Sequence, residues 1–134
     1  MEETIFTKII KGEIPSHKVY EDEKTLAFLD IFPETEGHTL VIPKTQVEFV
    51  WDLSESDYAA LMSTVQKVAV RLRSVMGKKY VGSKVIGTDV PHAHVHLFPF
   101  DGAGPANVES FEERQSKEPD HAKLAEIAKK LYFS

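Results

Sequence analysis

His92, His94 and His96 alternate with Ala93, Val95 and Leu97, and side chains two apart on an extended chain point to the same side. The spacing predicts a strand over His92–Phe98, with three imidazoles on one face and an apolar row on the other. Three of the chain's six histidines on one face is more than packing asks for, since a buried histidine usually serves alone. Two chemistries use such a row. One is a metal centre: imidazole is a common zinc ligand, and a catalytic zinc often keeps three protein ligands and an open position. Successive same-face Cα atoms lie ~6.7 Å apart, however, so three consecutive rings must splay to meet one ion. The other is covalent catalysis at phosphorus, in which one neutral imidazole attacks, a second orients it and a third protonates the leaving group. His94 is the middle member and has a neighbour on each side to serve it.

Other elements must position this row. Ile5, Phe6, Ile9 and Ile10 have helical spacing and stop at Gly12, with Pro15 beyond, which predicts a short amphipathic first helix. Lys18–Glu21 and Thr25–Asp30 read as strands joined by the polar turn Asp22-Glu23-Lys24, and Leu40-Val41-Ile42, closed by Pro43, reads as a third. A long helix starts after Ser54 and presents Tyr58, Leu61, Met62, Val65, Val68, Ala69, Leu72, Val75 and Met76 on its core face before Gly77 caps it. Tyr80–Ile86 and His92–Phe98 are expected as two further strands joined by a tight turn at Gly87-Thr88-Asp89. Asp101–Pro119 is polar and reads as a surface excursion, followed by a helix from about Asp120 with Leu124, Ile127, Ala128 and Leu131 on one face. Five strands and these helices make an α+β protein. A single domain is expected over 1–134, with its core in 5–100 and the excursion and last helix in 101–134.

Composition removes several functions. A formal charge of −5 argues against a nucleic-acid groove, whose affinity rests on neutralising phosphates. The absence of cysteine excludes disulfides and thiolate metal sites. No apolar run approaches the ~18 residues of a membrane span, and Met1-Glu2-Glu3-Thr4 has none of the character of a signal peptide. No P-loop spacing or nucleophile elbow is present. The expectation is a cytoplasmic protein with no membrane or nucleic-acid partner. His17 and His121 read as solvated surface.

His92–Phe98 resembles the histidine-triad motif, H-φ-H-φ-H-φ-φ, with Ala93 as a small apolar member. The likeness extends to Ile5-Phe6 with Lys8-Ile9-Ile10 and Gly12-Glu13-Ile14-Pro15, and to Ala27-Phe28-Leu29-Asp30-Ile31 followed by Gly37-His38-Thr39-Leu40-Val41-Ile42-Pro43-Lys44. These three blocks occur in the order and spacing of the family's nucleotide-hydrolase and phosphoramidase branch. The resemblance implies a five-stranded antiparallel sheet and a homodimer whose sheets act as one of ten strands. The many apolar positions of the long helix agree with a second copy. It implies a hydrolase acting on purine nucleoside phosphoramidates or dinucleoside polyphosphates and releasing AMP or GMP, with no cofactor. His94 would be the nucleophile, His96 would serve the phosphate oxygens and the leaving group, His92 would sit beside the nucleophile, and His38 would complete a four-histidine relay. Asp30 would accept hydrogen bonds from the ribose hydroxyls, although a carboxylate ending a strand is also an ordinary turn residue. Ile5, Phe6, Ile9, Phe28, Ile31 and Leu40 would wall the purine. A non-catalytic nucleotide-binding module could use the same pocket, and an intact His94 favours catalysis.

The chain departs from the family pattern in two places. Many bacterial relatives hold a structural zinc on two cysteines and two histidines, but here Thr4, Thr7 and Gln46 take three of those positions beside His92. No metal is therefore expected. Ahead of the triad, where relatives often carry an Asn, a Gln and a Ser or Thr, the chain reads Ser83-Lys84-Val85-Ile86-Gly87-Thr88-Asp89-Val90-Pro91. Asp89 is expected to point away from phosphate or to pair with Lys84. His96 argues against the nucleotidyltransferase branch, which usually has glutamine there.

Overall fold

A computed structural model describes residues 2–102, 115 and 117–134. The short helix α1 spans Ile5–Ile10, and its N-cap Thr4 accepts a hydrogen bond from the Thr7 N–H. Strands β1 (Lys18–Glu21) and β2 (Thr25–Leu29) form an antiparallel hairpin. Asp22 shapes its turn, its Oδ1 accepting from the backbone N–H groups of Lys24 at 2.9 Å and Thr25 at 2.8 Å. β3 is Thr39–Pro43, α2 is Glu55–Met76, β4 is Tyr80–Lys84, β5 is Val95–Phe100 and α3 is His121–Leu131. A single 3₁₀ turn over Val50–Asp52 precedes α2. Ser54 caps α2 through the Asp57 N–H at 3.1 Å, and Gly77 ends it in the left-handed conformation at φ 66°.

The sheet runs β1-β2-β3-β5-β4, and every adjacent pair is antiparallel. Its two faces have separate cores because side chains alternate across a strand. Ala27, Leu29, Val41, Val95 and Leu97 join Leu61, Val65, Val68 and Leu72 of α2 and Leu124, Ile127 and Leu131 of α3. Leu26, Phe28, Leu40 and Ile42 turn the other way and pack with Phe6 of α1. β2 and β3 are buried at every position because both faces are covered. Among the described residues, the large helices thus carry one face of the sheet, and α1 and the loops close the other. That lightly roofed face holds the histidines.

Three expectations change. The last strand begins at Val95 rather than His92, because β3 stops offering it a ladder. Val41 pairs with Val95, but beyond it the Pro43 carbonyl takes the His92 ring at 2.8 Å and the Ala93 N–H donates to the Val47 carbonyl at 2.7 Å. β4 ends at Lys84, so Val85–His94 is a long connection in place of a tight turn. On α2, Tyr58 and Met62 are exposed and belong to no core, whereas Met76 packs partly against the larger one. The polar excursion expected over Asp101–Pro119 falls largely outside the described residues, and no described helix is long and apolar enough to cross a membrane.

Candidate active site

The triad residues and His38 are all at most 2% exposed. Their rings form a contiguous group. Phe6 meets His92 and His94 edge-on at centroid distances of 5.8 Å and 5.2 Å, His94 lies 5.0 Å from His96, and His96 lies 5.2 Å from His38. α1 reaches this group because Thr4 fixes its first turn and Phe6 is its one buried residue.

Hydrogen bonds assign the tautomers, since a carbonyl only accepts and a backbone N–H only donates. The Glu34 N–H donates to His38 Nδ1 at 3.0 Å, so a neutral His38 carries its proton on Nε2. That proton goes to His96 Nδ1 at 3.0 Å, which places the His96 proton on Nε2. His94 Nδ1 donates to the His92 carbonyl at 2.7 Å, and its Nε2 keeps the lone pair. His92 donates from Nε2 to the Pro43 carbonyl and receives the Thr4 hydroxyl at Nδ1, at 3.0 Å. His38 and His96 are directly bonded, His94 is oriented by the backbone of His92, and the His92 ring is committed elsewhere.

Burial, first of all, holds the His92 imidazole below histidine's usual value; the neighbouring His94 adds to the lowering, and the bond to Pro43 opposes it. His38 is held by the β2–β3 loop. Gly37 precedes it at φ 95°, where its Cα packs so near Pro99 and Met76 that a Cβ would lie 3.2 Å from the proline ring. Glu34, whose N–H meets His38, is anchored by a partly buried ion pair with Lys84. Asp30 accepts the Phe32 N–H at 2.8 Å with Oδ1, the turn role its position suggests, while Oδ2 lies 3.6 Å from His38 Nε2.

A cavity of about 200 Å³ opens beside His94 and His96. Every apolar residue expected at the purine wall lines it: Ile5, Phe6, Ile9, Phe28, Ile31 and Leu40, with Asp30 at its side. His92 and His38 stand behind it. Ile14, Pro15, Ser16, Leu29, Phe32, Val90 and Gln115 also line it and were not anticipated; the Gly12–Pro15 turn was the available signal for the first three. Asp89 lines it too, contrary to expectation, because Lys84 is occupied by Glu34 and Val90 docks on the α1-side core. A second cavity of about 330 Å³, between the β2–β3 loop and α3, has charged walls at Glu34, Glu36, Lys117, Asp120 and Lys123 and meets His38 alone of the four histidines. His17 and His121 pair with each other at 3.0 Å on the surface.

Among the described residues two sets could hold a metal ion, Asp30 with His38 and His96, and Asp89 with His94 and His96; within each, ligand atoms lie within 4.8 Å of one another. A site on all three triad rings does not fit, since both His92 nitrogens are engaged. A zinc beside α1 does not fit either. Thr7 donates to Gln46 Oε1 at 2.6 Å, Thr4 donates to His92, and Gln46 Nε2 donates to the Glu2 carbonyl at 2.7 Å. Hydroxyl, amide and imidazole satisfy one another there as a hydrogen-bonded clasp.

Comparison with known proteins agrees with this geometry. The chain is 43% identical over 110 residues to Protein hit of Bacillus subtilis (strain 168), covering 77% of this chain and 74% of that one. It is 38% identical over 111 residues to the purine nucleoside phosphoramidase of Escherichia coli (strain K12), covering 78% and 92%. Among solved structures, a Hit-like protein involved in cell-cycle regulation from Bartonella henselae superposes with a TM-score of 0.81 at 31% identity, over 96% of this chain and 93% of that one. The HIT domain model matches residues 11–103, and with the five-stranded antiparallel sheet and its histidine row the chain belongs to the HIT domain family.

Proposed function

We propose that this protein is a nucleotide hydrolase that releases a nucleoside monophosphate from a purine nucleoside phosphoramidate or a dinucleoside polyphosphate, with His94 as nucleophile. One observation carries the reading: His94 gives its Nδ1 proton to the His92 carbonyl at 2.7 Å, which leaves the Nε2 lone pair at the wall of the cavity. The purine lies among Phe6, Ile9, Phe28 and Leu40, and the ribose hydroxyls donate to Asp30. His94 Nε2 bonds to the α-phosphorus as the bond to the leaving nitrogen or oxygen breaks. The departing atom keeps the electron pair, is met by a hydrogen bond from His96 Nε2–H, which the His38 bond has oriented, and takes its proton from solvent water. Water then attacks the same phosphorus, its proton passes to solvent, and the phosphorus–nitrogen bond gives its electrons back to His94. Two in-line displacements give net retention. The name of the Escherichia coli relative supports the substrate class.

Rapid acid-free quenching with substrate, followed by peptide mass spectrometry, should find a nucleoside monophosphate on the His92–Phe98 peptide. Inversion at a chiral α-phosphorus would mean that water attacks directly and would overturn the mechanism.

The working unit is a homodimer in this reading. The outer edge of β1 is covered where the Phe133 N–H donates to the Val19 carbonyl at 3.1 Å, while β4 has no such cover among the described residues. Tyr58 and Met62 of α2 and Tyr80 of β4 are exposed, and Trp51 is 72% exposed. A monomer mass by light scattering at micromolar concentration would count against a second copy.

A further inference from the structure

The place of Asp89 bears on the leaving group. Its carboxylate, a His94 nitrogen and a His96 nitrogen lie within 4.8 Å of one another, and Asp89 and Val90 line the same cavity as the two rings. Lys84 is paired with Glu34, and among the described residues no Lys or Arg forms an ion pair with Asp89. Its side-chain partner is the Thr88 hydroxyl, which donates to Oδ1 at 3.4 Å. A carboxylate therefore faces the point where the α-phosphoryl group must sit to be attacked by His94 and relieved by His96. Within about 5 Å in a half-buried site, one full charge weighs about one to two powers of ten in binding. The α-phosphoryl charge is common to all the substrates considered, so it discriminates among none of them. The leaving group is where they differ. A polyphosphate brings more negative charge to a site that already holds a carboxylate, whereas an amine with an ammonium tail offsets it.

We infer that Asp89 is a specificity-determining residue that selects leaving groups by charge, favouring amines that carry a cationic tail and disfavouring polyphosphates. This rests on the hydrolase reading above. It narrows that reading to nucleoside phosphoramidates of cationic amines.

The test uses two adenosine 5′-phosphoramidates matched in shape, one whose leaving amine ends in a trimethylammonium group and one ending in tert-butyl, together with diadenosine tetraphosphate. For wild type and Asp89→Asn, kcat/KM is measured in EDTA and again with Mg²⁺. Comparing the cationic-to-neutral ratio between the two proteins cancels any intrinsic difference between the amines. That ratio should fall about tenfold or more in Asp89→Asn, and kcat/KM for diadenosine tetraphosphate should rise. Raising ionic strength on wild type should compress the ratio without any substitution, because screening weakens the carboxylate's reach. An identical ratio in both proteins, insensitive to salt, would overturn the role of Asp89 and leave the hydrolase intact. A difference between the proteins that appears only with Mg²⁺ would show that the carboxylate holds a metal ion, and would overturn the inference in that way. No turnover of any of the three substrates by wild type would remove the hydrolase reading itself.

Discussion

His92 and His94 stand two residues apart, both almost fully buried and both edge-on to Phe6, yet they are wired in opposite senses. His92 has both ring nitrogens bound to the protein, one to Thr4 and one to Pro43. His94 has one bound, to a backbone carbonyl, and its Nε2 makes no hydrogen bond to a described residue. Burial and ring contacts alone do not separate a structural histidine from a reactive one. What separates them is how many of the two nitrogens the fold has already used. By that measure His92 fastens α1 to β3, and His94 faces the chemistry.

The sharpest way to break this contrast is to exchange the losses. His94→Ala should lower kcat by at least about a thousandfold, because it removes the nucleophile, while nucleotide affinity stays within a few fold. His92→Asn should fold less stably but keep turnover within about tenfold. Single-turnover kinetics and equilibrium binding on the two variants check both statements, and equal kinetic losses would erase the distinction. Asp30→Ala tests the binding half of the site. It should weaken ribonucleotide binding by about 1.5–3 kcal/mol, the range for a hydrogen bond to a charged group, and affect a 2′-deoxynucleotide less. Calorimetric titration of both nucleotides would reveal an affinity loss blind to the ribose, which would return Asp30 to its turn role alone.

Thr4→Val tests the fastening half. It leaves His92 Nδ1 buried without its hydroxyl donor, at a cost of about 1–3 kcal/mol in stability by denaturant titration. The smallest effect is a dependence on pH. The folded protein holds His92 below its unfolded value of about 6.5, so the unfolded chain binds the proton more readily. The contribution of His92 is thus complete above about pH 6.5 and is lost as pH falls from there through the lower folded-state value. Melting temperatures between pH 8 and 5 should decline less steeply in His92→Asn than in wild type.

Much of this arrangement is readable from the chain. The apolar runs Leu26–Leu29 and Leu40–Ile42 are legible as strands, and the resemblance to the histidine-triad pattern set Phe28 and Leu40 at the purine wall, where they line the cavity. The cap at Ser54 and the glycine at Gly77 bounded α2. Periodicity failed where main-chain competition decides the outcome. Nothing in His92-Ala93-His94 reveals that the Val47 carbonyl will claim the Ala93 N–H, or that an imidazole will take the carbonyl of Pro43. The division of the histidines into tied and open rings follows from those choices and was not legible. Asp89 failed for a similar reason, since the partner expected for it, Lys84, is claimed by a glutamate fifty positions earlier in the chain.

The clasp of Thr4, Thr7, Gln46 and His92 has a consequence outside energetics. It is made of two hydroxyls, a carboxamide and an imidazole, in a chain that has no cysteine. None of these groups can climb the sulfenic, sulfinic and sulfonic ladder that disarms a thiolate fastening. The join that seats Phe6 against His92 and His94 is therefore chemically mute to peroxide and to thiol–disulfide exchange. Changes in the redox poise around the protein have no handle there by which to loosen α1 from the histidine row.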